Sequence, residues 1–142
     1  MLYAARECAR IVLEESLEQG FVRHHLASSA LRAGIKAMGL RMFGDERHRM
    51  ANVTGVLIPK EIKDGEKVRA DLLRDFGIEI GTSFGRLAGK IWRIGTMGYV
   101  CRQQNALRCL AALEAVLCMN GYSAPLGTAI DAAYGLYDRA KG

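Results

Sequence analysis

The sequence predicts an α+β fold: a small antiparallel or mixed sheet of about four strands with helices on one face, preceded by a long N-terminal helical segment. Three observations carry this. Apolar residues recur at the helical period through residues 1–39. Short runs rich in β-formers, bounded by glycine or proline, follow from residue 40. Strong helical patterns then close the chain.

Over residues 3–19, Leu2, Ala5, Ala9, Val12, Leu13 and Leu17 form an apolar stripe opposite Arg6, Glu7, Arg10, Glu14 and Glu18. Gly20 is a stop or a kink. A second pattern runs from Phe21 to Met38, with Leu26, Ala30, Leu31 and Ile35 facing in and Gly39 as a C-terminal cap. The two patterns are equally compatible with one long helix bent near Gly20. Leu40–Phe43 is a first strand candidate, closed by Gly44-Asp45, and Asn52–Ile58 a second, ended by Pro59. Asp64-Gly65 opens a helix carrying Val68, Leu72, Leu73 and Phe76, stopped by Gly77. Ile78–Ile80 and Lys90–Ile94 are the third and fourth strands, with a glycine-rich loop from Gly81 to Gly89 between them. A helix over 103–119 and an amphipathic segment over 126–139, with Ile130, Ala133, Tyr134 and Tyr137 inward, complete the order α-α-β-β-α-β-β-α-α.

At 142 residues the chain has room for one domain with a core. Half of it is hydrophobic and a quarter charged, the balance of an ordinary globular protein. No apolar run approaches the ~20 residues of a membrane span, and the charged start of the chain does not form a signal peptide. A cytoplasmic protein with no membrane partner is expected. The net charge of +5 is mild, with acids and bases interleaved, so nucleic-acid binding ranks last among the function classes. Cys8, Cys101, Cys109 and Cys118 lack C-x-x-C spacing and read as reduced thiols, three of them core filler. His24, His25 and His48 lack metal-ligand spacing and read as surface residues.

No catalytic set of a common kind is present. The loop Gly85-Arg86-Leu87-Ala88-Gly89-Lys90 fails as a phosphate loop, because Phe84 stands at the first glycine and Ile91 at the metal-binding hydroxyl. The basic run Arg47-His48-Arg49 reads as a solvated loop. One residue stands apart. Arg93 lies within a short apolar strand between Gly89 and Gly95, and its charge cannot be buried without a partner. Strand alternation puts Trp92 and Ile94 on the helix-covered face, and Ile91 and Arg93 on the other. Arg93 either pairs with Glu79 or another acid at the sheet surface, or sits at a cavity rim and receives an anion. A carboxylate matches its planar fork.

The run Gly89-Lys90-Ile91-Trp92-Arg93-Ile94-Gly95-Thr96-Met97-Gly98, followed by Asn105 and Leu107-Arg108-Cys109-Leu110-Ala111-Ala112-Leu113-Glu114, resembles the C-terminal domain of class V aminotransferases. These are fold-type I pyridoxal-phosphate enzymes, and the similar branch acts on alanine, serine or ureidoglycine with glyoxylate or pyruvate. Met1–Glu7 resembles the start of the interdomain helix, and Asp71–Ile80 the small domain's helix and strand. The resemblance implies that residues 1–142 are a single C-terminal small domain, with an interdomain helical segment over 1–39 and an α+β unit over 40–142. It implies that Arg93 grips the α-carboxylate of an amino acid or 2-oxo acid substrate, with Gly95 shaping the site. The cofactor would be pyridoxal 5'-phosphate and the intact enzyme a homodimer.

The family's Schiff-base lysine and phosphate-binding residues lie in a large domain that has no counterpart here. Lys36, Lys60, Lys63, Lys67, Lys90 and Lys141 match none of them. The expectation is a fragment unable to catalyse alone, Met1 being an internal methionine or a misplaced start. Arg86 departs from the branch, which has proline there; the change adds a charge and frees the backbone. The competing expectation is a non-catalytic interaction or ligand-sensing module built on the same strands.

Overall fold

A computed structural model describes residues 1–140. Five helices surround a two-stranded sheet: α1 (Leu2–Glu15), α2 (Leu17–Ala37), β1 (Val53–Leu57), α3 (Gly65–Phe76), β2 (Ile91–Gly95), α4 (Gln103–Met119) and α5 (Thr128–Arg139). Short 3₁₀ turns at Gly85–Leu87 and Gly98–Val100 flank β2. The class is α+β, as the sequence predicts.

The expected four strands reduce to two. β1 and β2 pair antiparallel with Val56 opposite Trp92 and Gly55 opposite Arg93. Of the other two candidates, Leu40–Phe43 touches this ribbon at one point, Met42 at Val56, and Ile78–Ile80 forms no bridge itself; the contact falls on Gly81 just after it, opposite Arg93. Both stop for a local reason. Phe43 donates to Gly55 O at 2.9 Å, and Gly44 then turns the chain away at φ 95°. On the other edge Gly81 and Arg93 exchange two bonds of 2.8 Å each. Just before that point, the Ile78 N–H is committed to Leu72 O, where α3 ends on Gly77 in the left-handed conformation.

The helical break also falls elsewhere than expected. It lies at Ser16, φ 69° and ψ 154°, and Gly20 is inside α2. The Ser16 hydroxyl accepts from Gln19 N at 3.3 Å, so a serine N-cap starts the second helix. The core gathers where α2 packs along α5 and α4, with Leu31, Ile35, Leu110, Leu113 and Leu117 fully buried. Each such leucine or isoleucine contributes about 1.5–3 kcal/mol. Trp92, 1% exposed, roofs this core from the sheet and donates to Gly65 O at 3.1 Å, tying α3 to β2.

Asp64 caps α3 by accepting from Glu66 N and Lys67 N at 2.9 and 3.1 Å. Farther along, Asp71 is buried beneath Lys67 (2.6 Å) and Arg74 (2.8 Å) and accepts from Asn120 Nδ2 at 3.0 Å, which locks α3 to the end of α4. The Lys67 hydrogen bond, then that from Asn120, hold its carboxyl down at about 2.

Other inward assignments fail. The whole apolar stripe of α1 is exposed, Leu13 at 82%, and so are Phe21, Leu73 and Tyr134. Cys101 is buried and Cys109 half-buried, but Cys8 and Cys118 are exposed, so two cysteines rather than three fill space inside. Among the described residues no helix is long and apolar enough to cross a membrane.

Candidate functional site

β2 alternates as expected around Arg93. Trp92 and Ile94 turn into the helical layer, and Arg93 and Gly95 face away from it. Ile91 shares the Arg93 face yet is buried, beside Leu87 in the cleft described below. Glycines surround the arginine. Gly55 lies opposite it in the register, Gly81 bridges to it from the other edge, and Gly95 follows on the same face. A Cβ on Gly81 would sit 3.5 Å from Arg93 Cβ and 3.7 Å from its Nε, an ordinary contact that would crowd the stem. Gly95 was singled out from the sequence; Gly55 was not. The register that brings Gly55 across from Arg93 has no local signature.

The guanidinium is held by the loop between Gly81 and Gly89. Arg93 Nε donates to Thr82 O at 2.7 Å, and its Cζ stands 5.1 Å from the centre of the Phe84 ring. No acid among the described residues pairs with it, Glu79 included; Glu79 lines a different hollow, beside Arg108. Within the described residues the ion pair with Glu79 is not formed. Nη1 and Nη2 make no hydrogen bond among the described residues, so the fork is free to take a planar anion. Arg86, the departure from proline, is exposed in the 3₁₀ turn Gly85–Leu87.

A cleft of about 380 Å³ opens on this face, with Arg32, Arg49 and Arg93 along it. Arg49 corrects the reading of its run as a solvated loop. Arg47 and His48 are exposed, but Arg49 turns inward, its Nη1 on Met42 Sδ at 3.0 Å and Nη2 3.3 Å from Glu46. Arg32 is anchored through Ser28 and Ser29 hydroxyls. Burial, then the neighbouring Arg49 charge, push its pKa down, as expected of an electropositive wall.

The chain leaving β2 is fastened to α2. Gly98 O and Cys101 O accept from Arg23 Nη1 at 2.9 and 3.0 Å, and Arg23 is itself paired with Glu15 across the Ser16 break. Gly98 N–H donates to His24 Nε2 at 3.2 Å, while His24 Nδ1 lies 2.6 Å from Gly20 O. The ring thus bridges the two backbone groups, one from each of its nitrogens. Neither Arg23 nor His24 carried a signal in the sequence, since their partners are backbone atoms about 75 residues away.

Among the described residues no lysine joins the cleft. Lys36 pairs with Glu46 and Lys67 with Asp71; Lys60, Lys63 and Lys90 are exposed elsewhere, and Lys141 lies outside the described residues. Burial pushes the Cys109 thiol up to about 11, which leaves no thiolate at neutral pH. Among the described residues no group of histidine, cysteine and acidic side chains has the arrangement to hold a metal ion.

No protein-family model matches the chain. It is 59% identical over 140 residues to the (S)-ureidoglycine–glyoxylate transaminase of Bacillus subtilis, a match covering 99% of this chain and 33% of that protein. It is 34% identical to the serine–glyoxylate aminotransferase of Arabidopsis thaliana, over 94% of this chain and 33% of the relative. A crystal structure of ureidoglycine–glyoxylate aminotransferase from Bacillus subtilis superposes with a TM-score of 0.93 at 58% identity, covering 96% of this chain and 35% of that one. The chain thus spans about one third of the length of the relatives it matches, and over that third it is similar to glyoxylate aminotransferases in both sequence and fold.

Proposed function

We propose that this chain is the substrate-carboxylate-binding C-terminal small domain of a class V, pyridoxal-phosphate-dependent aminotransferase that passes an amino group from an amino acid to glyoxylate or another 2-oxo acid. Residues 1–39 are its interdomain helical segment and 40–142 its α+β unit. The observation that carries the reading is Arg93: an outward guanidinium, ringed by glycines, held at Nε and carrying no counter-ion. The names of the relatives supply the substrate class, an amino donor of the ureidoglycine, serine or alanine type. Gly95 keeps the approach to Arg93 open from the strand's end.

The residues present do not form a pyridoxal-phosphate site. Among the described residues no lysine faces the cleft. The two thirds of the relatives' length that this chain does not span is where the cofactor, its lysine and its phosphate contacts belong in this reading. The apolar stripe of α1, with no buried residue of its own, is the face expected to pack against that portion and against a second subunit of a homodimer. A cytoplasmic location accords with four unpaired cysteines.

The test is the full-length enzyme carrying Arg93→Ala. Removing both charge-assisted bonds to a carboxylate should lower kcat/KM for glyoxylate by at least 100-fold, on the order of 3 kcal/mol or more. Unchanged kinetics would remove Arg93 from the site.

A further inference from the structure

We propose that Phe84 is a positioning residue for Arg93, its ring setting the plane in which the guanidinium meets a substrate carboxylate. This rests on the carboxylate-binding reading of Arg93 given above. An arginine on an exposed strand position has several rotatable bonds, and a fork that swings freely must be ordered each time a carboxylate binds. Two contacts restrain it. The bond from Nε to Thr82 O, 2.7 Å long, fixes where the head of the side chain points. It does not fix the tilt of the plane. The Phe84 ring, 5.1 Å from Cζ, supplies that second restraint by offering its face to the cation. Together they leave Nη1 and Nη2 without protein partners, as a receiving fork requires.

The ring has no other evident task in this chain. Phe84 is 74% exposed and takes no part in the hydrophobic core, so it does not hold the fold together. Its backbone is extended (φ −121°, ψ 165°), and the next residue, Gly85, turns at φ 58°, which no bulky residue adopts easily. The loop thus sends an aromatic ring out beside the single outward charge of β2. Thr82 contributes through its carbonyl, which any residue could provide. At Phe84 the ring itself matters.

The experiment uses the full-length holoenzyme with glyoxylate as the titrated acid, comparing Phe84→Leu, Phe84→Tyr, Arg93→Lys and the double variant Arg93→Lys/Phe84→Leu. Phe84→Leu should raise KM about two- to five-fold, the size of an exposed cation–π contact, with kcat and melting temperature little changed. Phe84→Tyr, which keeps the ring face, should restore the parental KM. In the double variant the Phe84 change should add nothing to Arg93→Lys, because a ring that acts through the guanidinium has nothing left to position. A parental KM in Phe84→Leu, or losses that multiply in the double variant, would overturn the proposal. An unchanged KM in Arg93→Lys, or no glyoxylate turnover by the parent, would instead overturn the reading beneath it.

Discussion

Gly34 should be irreplaceable within α2, although alanine is the better helix former. A Cβ there would lie 2.5 and 2.7 Å from the two methyls of Leu110 and 2.8 Å from Ala129 O. Comfortable carbon contacts begin near 3.5 Å, so α2 would have to withdraw from α4 and α5 by most of an ångström. Leu110 is fully buried and the Ala129 oxygen is backbone, so neither neighbour can yield cheaply. Overpacking of this kind costs about 1–3 kcal/mol. The helix propensity of alanine returns up to about 1 kcal/mol. Gly34→Ala should therefore destabilise by up to about 2 kcal/mol after the full propensity return.

Gly20 supplies the internal control. It lies in the same helix, and an added Cβ meets nothing nearer than Glu15 Oε2 at 3.6 Å. Gly20→Ala should stabilise by about 0.5–1 kcal/mol. Each kcal/mol is worth about 3–4 °C in a chain of this size. Urea and thermal unfolding followed by circular dichroism at low protein concentration would read both. If Gly34→Ala raised the midpoint as Gly20→Ala does, the packing argument for α2 against α4 and α5 would be refuted.

The Asp71 carboxyl titrates near 2 in the folded chain against 3.8 when free, so its contribution is fully present above 3.8 and is lost as pH falls through about 2. The urea midpoint should fall across that window, and Asp71→Asn should lower it at neutral pH while flattening the acid slope; equal slopes in both proteins would contradict the assignment. The exposed stripe of α1 should make the chain self-associate when expressed alone, and Leu13→Glu together with Leu17→Glu should reverse this. Light scattering that finds the unmodified chain a stable monomer would count against α1 as a docking face.

Where the sequence was readable, contacts were local. The bounds of α3 and α4 followed from Asp64, Gly77 and a sustained 3.6-residue period, signals that act within a few residues. Misreadings arose where a distant partner decides. Ser16 rather than Gly20 breaks the first helical pair, because a serine cap and the Glu15–Arg23 bridge stabilise a turn there. Leu40–Phe43 and Ile78–Ile80 have strand composition, but an edge segment becomes a strand only if its partner continues beside it; the first has one pairing point and the second only the bridge at the following Gly81. The period alone made α1 amphipathic; it could not say that nothing in this chain covers the apolar side. At the site, Arg93 and its outward aim were legible from alternation. The Arg23 and His24 fastenings and the inward turn of Arg49 were not, since each depends on backbone brought near by the fold.

The surroundings of Arg93 argue for more than a solvated charge. Strands disfavour glycine, at a cost of roughly 0.5–1 kcal/mol each, yet Gly55 and Gly95 stand in the two strands beside this side chain and Gly81 bridges to it. A surface arginine serving only solubility would be as well placed beside valine or threonine, with an acid opposite for good measure. Here the sequence does the reverse. It removes side chains from the neighbours and sets Arg32 and Arg49 along the same cleft, where like charge disfavours leaving Arg93 unmatched; Asp45, the carboxylate that also lines the cleft, is taken up by Arg47 and His48. Local rules are broken together around one group. Such a cluster fits the binding role proposed for Arg93. The room at Gly55 goes to Phe43, whose Cβ an added side chain would meet at 3.3 Å, so what stays unmatched, and what the reading proposed for Arg93 gives to a planar anion, is the guanidinium fork itself.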